Sequence, residues 1–175
     1  MAVDTLKVTC LIILLICLSA GADTTCPAVC SCATSPLSVT DTVGRRGVAV
    51  TCSNVELTSL PAELPTNAAT LDVSGNRLEV LDGATLPRTG VQELSSANFS
   101  RNRIVTIVSD SFGQWSNLVS LDLSANRLSS IDHGTLRGAS QTSLQNLDLS
   151  SNRLTHVDGG FSGMTNLFRS VILCQ

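Results

Sequence analysis

Few side chains in this 175-residue chain could do covalent or metal chemistry. The two histidines are His133, which adjoins Asp132, and His156, which stands near Asp158. Neighbouring residues on a turn do not make a nucleophile, base and orienting acid, and no G-x-S-x-G signature occurs. The expectation is a chain with no catalytic residues and no cofactor. Four cysteines, Cys26, Cys30, Cys32 and Cys52, cluster near the amino terminus. Such clusters hold either zinc or disulfides. No partner pair of Cys or His has finger spacing, so disulfides are expected, with three pairings open and no metal. Asn98-Phe99-Ser100 is the one N-x-[ST] sequon, a candidate for glycosylation at Asn98. Asp72, Asp122 and Asp148 recur at matching places, but Asn98 interrupts the series and each strand offers one carboxylate, a poor calcium ligand set.

The elements that must position these groups come from one frame written four times. Leu118-Val-Ser-Leu121-Asp-Leu123-Ser-Ala-Asn126-Arg-Leu128 reappears at Ala68 to Leu78, Leu94 to Ile104 and Leu144 to Leu154. Its asparagines, Asn76, Asn102, Asn126 and Asn152, are 26, 24 and 26 residues apart, a period that belongs to repeat architectures. In L-x-L a short strand turns both apolar residues to one side and the intervening residue to the other. One such strand cannot bury its apolar side alone; stacked copies make a continuous core, and the Asn can bond backbone groups where the strand bends away. Each copy continues with Leu81, Ile107, Ile131 or Val157, and then with Leu86, Phe112, Leu136 or Phe161, which would wedge the convex side. The expected fold is an α/β repeat solenoid, a horseshoe arc with a concave parallel sheet and short irregular or 3-10 convex segments.

Residues 1–22 have the three parts of a signal peptide: Lys7, the apolar run Val8 to Leu18, and small residues Ala20-Gly21-Ala22. The run is too short for a bilayer that needs about 20 residues, and no other hydrophobic run follows. Secretion without a membrane span is expected. Removal of the leader takes Cys10, Cys17 and the single lysine with it. The formal charge of −3 gives no reason to expect nucleic acid or an anionic membrane as partner, since both call for clustered Lys and Arg. Residues 23–65 read as a disulfide-bonded cap, 66–166 as four repeats and 167–175 as an incomplete terminal repeat. Arg45-Arg46, in the insertion Ala33 to Gly47, could be a protease-sensitive loop, although such a pair is more often merely solvated.

With its L-x-x-L-x-L-x-x-N-x-L frames, the chain resembles the extracellular leucine-rich repeat family. The segment Cys26 to Pro65, ending Leu57-Thr-Ser-Leu60-Pro61-Ala-Glu-Leu64-Pro65, resembles the amino-terminal cap of the Slit, Toll-type and variable lymphocyte receptor proteins. That resemblance implies that Cys26 pairs with Cys32 and Cys30 with Cys52. A cap of this kind covers the first strand's edge and the open end of the core. The frame at Leu94 departs most, with Ala97 where leucine is usual.

Function in such a solenoid lies in the x positions. Alternation puts Thr70, Asp72 and Ser74 on the concave face, then Ser96, Asn98 and Ser100, then Ser120, Asp122 and Ser124, and finally Asn146, Asp148 and Ser150. At a strand spacing of about 4.8 Å, stacked carboxylates in water repel by roughly 0.9 kcal/mol. Arg77, Arg103, Arg127 and Arg153 form a parallel column expected to offset them. Consensus surface chemistry is the plain reading of these columns; a patch for a basic protein ligand is the sharper one. Arg101 is its most promising anchor, because binding hot spots favour Trp, Tyr and Arg. Trp115, just upstream of a frame, is read as packing. Either Asn98 is bare and the concave face binds, or it is glycosylated and binding moves to an edge or the convex side.

A last frame begins at Leu167, where Ser170 takes a leucine place and Ile172 fits, and the chain ends at Gln175. Cys174 leaves five cysteines after the leader is removed, an odd number that suggests intermolecular pairing or a free thiol. The three explanations are a disulfide-linked dimer through Cys174, a heterologous partner, or truncation of a longer receptor, of which truncation is simplest. The reading is a secreted recognition module for an extracellular protein or glycan ligand, in adhesion, guidance or innate immune recognition. The alternatives are a structural matrix scaffold and a truncated receptor ectodomain.

Overall fold

In a computed structural model, the structure describes residues 26–35, 47–87, 91–132, 134–136, 142–157, 159–167 and 170–172. The leader, Arg45-Arg46, His133, Asp158 and Cys174 lie outside them. Among the described residues nine strands follow one another: β1 (Ser31–Ser35), β2 (Gly47–Thr51), β3 (Ala68–Asp72), β4 (Val80–Leu81), β5 (Ser96–Asn98), β6 (Thr106–Ile107), β7 (Ser120–Asp122), β8 (Asn146–Asp148) and β9 (Ser170–Ile172). Seven of them form one sheet in the order β1-β2-β3-β5-β7-β8-β9. From β2 onward every pairing in it is parallel, and consecutive frames align residue for residue: Leu71 lies opposite Ala97, Ala97 opposite Leu121, and Leu121 opposite Leu147. The convex side is built of short irregular segments, with a two-residue parallel ladder between β4 and β6 and a bridge from Ser130 to His156.

The core is the sum of equivalent positions. Leu71, Val73, Leu78, Leu81 and Leu86 of one repeat are buried, as are Leu121, Leu123, Leu128, Ile131 and Leu136 two repeats on. Where Ala97 subtracts volume, the same repeat adds aromatic bulk. Phe99, Phe112 and Trp115 are fully buried, with ring centroids 5.3 to 6.3 Å apart. Trp115 is therefore packing and not contact surface.

At the amino-terminal end β1 pairs with β2 antiparallel, so residues 33–35 of the expected linker are strand. Cys26 is bonded to Cys32 and Cys30 to Cys52. The second bond ties β2 to the start of the cap, and β2 in turn covers the edge of β3. At the other end the expected frame slips by one residue. Val171, not Ser170, lies opposite Leu147, so Val171 takes the leucine place that spacing from Leu167 gave to Ser170.

The asparagines fasten each repeat to its predecessor. Asn126 Nδ2 donates to the carbonyls of Phe99 and of Leu123, each at 3.0 Å, while its Oδ1 accepts the Ile104 N–H at 3.0 Å. Asn102 does the same with Val73, Phe99 and Leu78, and Asn152 with Leu123, Leu149 and Leu128. Asn76 reaches into the cap, donating to Cys52 O and accepting from Val55 and Leu57.

Two outcomes follow for equilibrium urea unfolding. Asn126→Asp keeps the shape but removes both donors beneath buried carbonyls, and should cost about 2–6 kcal/mol, at about 1–3 kcal/mol for each of the two carbonyls left unsatisfied. Opening Cys30–Cys52 by paired serine substitution frees a 22-residue separation and should cost about 3 kcal/mol.

Candidate functional site

The concave face carries two columns in register. One runs Ala49, Thr70, Ser96, Ser120, Asn146, Ser170; the other runs Thr51, Asp72, Asn98, Asp122, Asp148, Ile172. The structure thus brings together Thr70, Asp72, Ser96, Asn98, Ser120, Asp122, Asn146 and Asp148. Within the second column only Asp122 and Asp148 are adjacent carboxylates, so the repulsion expected along the whole column falls on one pair.

Four members of that column also hold their own strand ends. Oδ1 of Asp72, Asn98, Asp122 and Asp148 accepts the N–H of Ser74, Ser100, Ser124 and Ser150, respectively, at 2.8–2.9 Å. This Asx turn needs one oxygen acceptor, which Asp and Asn supply equally. The second carboxylate oxygen of each aspartate remains for a partner. Ser100 is itself buried, so the expected serine column does not stand open along its length.

The residue before each ladder asparagine departs from ordinary backbone. Gly75, Arg101, Ala125 and Ser151 all have positive φ, between 53° and 68°, and Asn54 repeats the pattern in the cap. The turn aims each amide at the next repeat: the N–H groups of Asn54, Gly75, Arg101 and Ala125 donate to the carbonyls of Ser74, Ser100, Ser124 and Ser150 at 2.9–3.0 Å. Gly75 is needed for a second reason, because a Cβ there would stand 2.1 Å from Asn54 Oδ1. Arg101 is exposed and carries its guanidinium from a left-handed backbone that disfavours any side chain.

The arginine column does not pair with the aspartates. Arg77, Arg103, Arg127 and Arg153 are exposed, and among the described residues no ion pair joins them to Asp72, Asp122 or Asp148. Arg77 instead meets Glu56 of the cap at 2.5 Å. Arg77 and Arg103 help line a groove of about 490 Å³ between Thr58–Leu60 of the cap and the first repeat, floored by Leu78, Leu81 and Leu86. Sequence reasoning missed this groove, which arises where the cap and the first repeat part after the Arg77 to Leu57 hydrogen bond. His156 is exposed with Nδ1 2.8 Å from Thr155 Oγ1, away from both columns in register.

Comparison with known proteins places this geometry. A family model described as leucine rich repeat matches residues 66–128 and 116–169. Tsukushi-A of Xenopus laevis is 35% identical over 95 residues, which is 54% of this chain and 27% of that protein. Among solved structures, human trophoblast glycoprotein, also called Wnt-activated inhibitory factor 1, is 30% identical with a TM-score of 0.57, over 71% of this chain and 41% of that one. The TLR13–ssRNA13 complex gives 27% identity and a TM-score of 0.62, over 68% of this chain and 17% of that one. The chain thus spans about a quarter of the curated relative and less than half of either solved structure.

Because Arg101 occupies a glycine-favouring conformation, Arg101→Gly should remove the charge without loss of fold. Chemical denaturation should place it between neutral and about 1 kcal/mol more stable than the parent, the relief offsetting glycine's extra unfolded-state entropy.

Proposed function

This chain belongs to the leucine-rich repeat family, and from that premise we propose that it is an extracellular recognition module whose concave sheet binds a partner protein. The disulfide-bonded cap fits an oxidising compartment. The observation that carries the reading is the division of labour on the concave face. Ladder asparagines and strand-end amides are consumed by the fold, whereas Asp72, Asp122 and Asp148 each keep one carboxylate oxygen unspent, between half-buried small polar neighbours. From β3 to β8 no bulky side chain of either column obstructs a partner. A basic segment fits best, because a guanidinium can bridge the adjacent Asp122 and Asp148 in bidentate fashion. Arg101 at the rim supplies the one large anchor.

The alternative of another class is a matrix scaffold, in which the repeats give stiffness and the columns are consensus surface. Nucleic acid is disfavoured for this chain because its concave columns are acidic, although TLR13 was solved with single-stranded RNA. Dimerisation through Cys174 remains a separate proposal.

Surface plasmon resonance against a panel of recombinant extracellular domains, with a single-stranded RNA as control, tests the reading. Saturable binding to a basic domain should weaken about 10- to 100-fold in Asp122→Arg/Asp148→Arg, corresponding to roughly 1.4–2.8 kcal/mol. A scaffold would give binding that this double variant leaves unchanged, and saturable RNA binding would replace the proposed partner class.

A further inference from the structure

Among the described residues Asn98 differs from the four ladder asparagines in that its nitrogen makes no hydrogen bond, as is also true of Asn146, which lies in no sequon. Each ladder asparagine gives Nδ2 to backbone carbonyls on two repeats. Asn117 and Asn166 donate theirs to the carbonyls of Gln92 and Thr142. Asn98 contributes Oδ1 alone, to the Ser100 N–H at 2.9 Å. In the three equivalent positions the fold makes do with Asp72, Asp122 and Asp148, which have no nitrogen at all. The structure therefore has no use for the nitrogen of Asn98, and it is this residue that lies two places before Ser100 in the chain's one sequon. Asn98 is half-buried at the end of β5, in the middle of the sheet.

We infer that Asn98 Nδ2 carries an N-linked oligosaccharide that rises from the centre of the concave face. The donor is an oligosaccharide on a polyisoprenoid pyrophosphate, met in the secretory pathway before the chain folds. Nδ2 forms a bond to the anomeric carbon, whose bond to the pyrophosphate oxygen breaks. The lipid pyrophosphate leaves with that electron pair, and the amide gives up one proton to a base of the transferase. The product amide keeps Oδ1 as acceptor and one N–H, so the Asx turn forms as before. The same substitution at Asn126 would remove a donor from beneath buried carbonyls, which the ladder does not tolerate.

The consequence bears on the concave reading without depending on it. A glycan on β5 separates Thr70 and Asp72 on one side from Ser120, Asp122, Asn146 and Asp148 on the other. The adjacent carboxylates lie one and two strands from it, about 5 and 10 Å at ordinary strand spacing. The partner footprint then shifts toward β7 and β8 and their free rim, leaving β5 covered.

The test is the intact mass of the full chain made in cultured animal cells, from medium and cell extract together, before and after peptide N-glycosidase. The parent should lose the mass of one oligosaccharide, with Asn98 converted to aspartate. Asn98→Asp should show no loss yet fold normally, since aspartate makes the same turn in three other repeats, and Ser100→Ala should also lack the glycan while keeping Asn98. A parent whose mass is unchanged by the enzyme would overturn the inference, as would a glycan that persists in Asn98→Asp. None of these readouts involves binding, so the proposed concave function stands or falls separately.

Discussion

The side-chain amide of asparagine offers two N–H donors and one carbonyl oxygen, and at four places in this chain all three are spent on backbone. Stacking short strands leaves a problem at every strand end, where the chain turns away and its carbonyls and amides lose their ladder partners. Unpaired, each such buried group would cost about 1–3 kcal/mol. Asn76, Asn102, Asn126 and Asn152 answer it with one geometry, touching two successive repeats at once. The leucines supply the larger share of the stabilisation, but they tolerate exchange: Ala97, Phe99 and Trp115 stand in the same core. The ladder position shows none in the four frames, because no other neutral side chain of that size offers two donors and an acceptor.

That constraint sorts the remaining positions. Residues before the ladder asparagine must take a left-handed backbone so that their amides reach the next repeat, whether they are Gly75, Arg101, Ala125 or Ser151. Residues at the strand end need one oxygen for an Asx turn and no more. What the fold leaves unspent among the described concave residues includes the second oxygens of three aspartates, the nitrogen of Asn98 and the side chains of Asn146 and Arg101. Recognition in such a molecule is built from what remains after the repeat has satisfied its own backbone.

The repeat, its register and its core were legible because period and alternation fix them. Leu71, Leu121 and Leu147 could only face one way, and their partners across the sheet follow from equal spacing. The acidic column was legible as a column, but its turn-holding role was not. Asp at strand ends reads as surface until the Ser N–H two residues on is seen at hydrogen-bond distance, though the strict Asp-x-Ser pattern carried that signal. The arginine column was legible as a run of exposed cations, but equal sequence spacing did not place Arg77, Arg103, Arg127 or Arg153 in an ion pair with these aspartates among the described residues. The shift of the last frame came from following Leu167 by spacing, which put Ser170 where Val171 takes the leucine place. The groove beside the cap had no sequence signal, since it records where two elements separate.

The cap hairpin also gives the stack a distinct end. β1 and β2 form the one antiparallel pair in the large sheet, and among the described residues they precede its other strands in the chain. Every later strand joins a neighbour about one period upstream, so each addition closes a loop of similar length at similar entropic cost. Such a chain can assemble by propagation from one end, nearest neighbour by nearest neighbour. The Cys30–Cys52 bond pins the hairpin end of that series, where it offers a fixed template against which parallel strands can add.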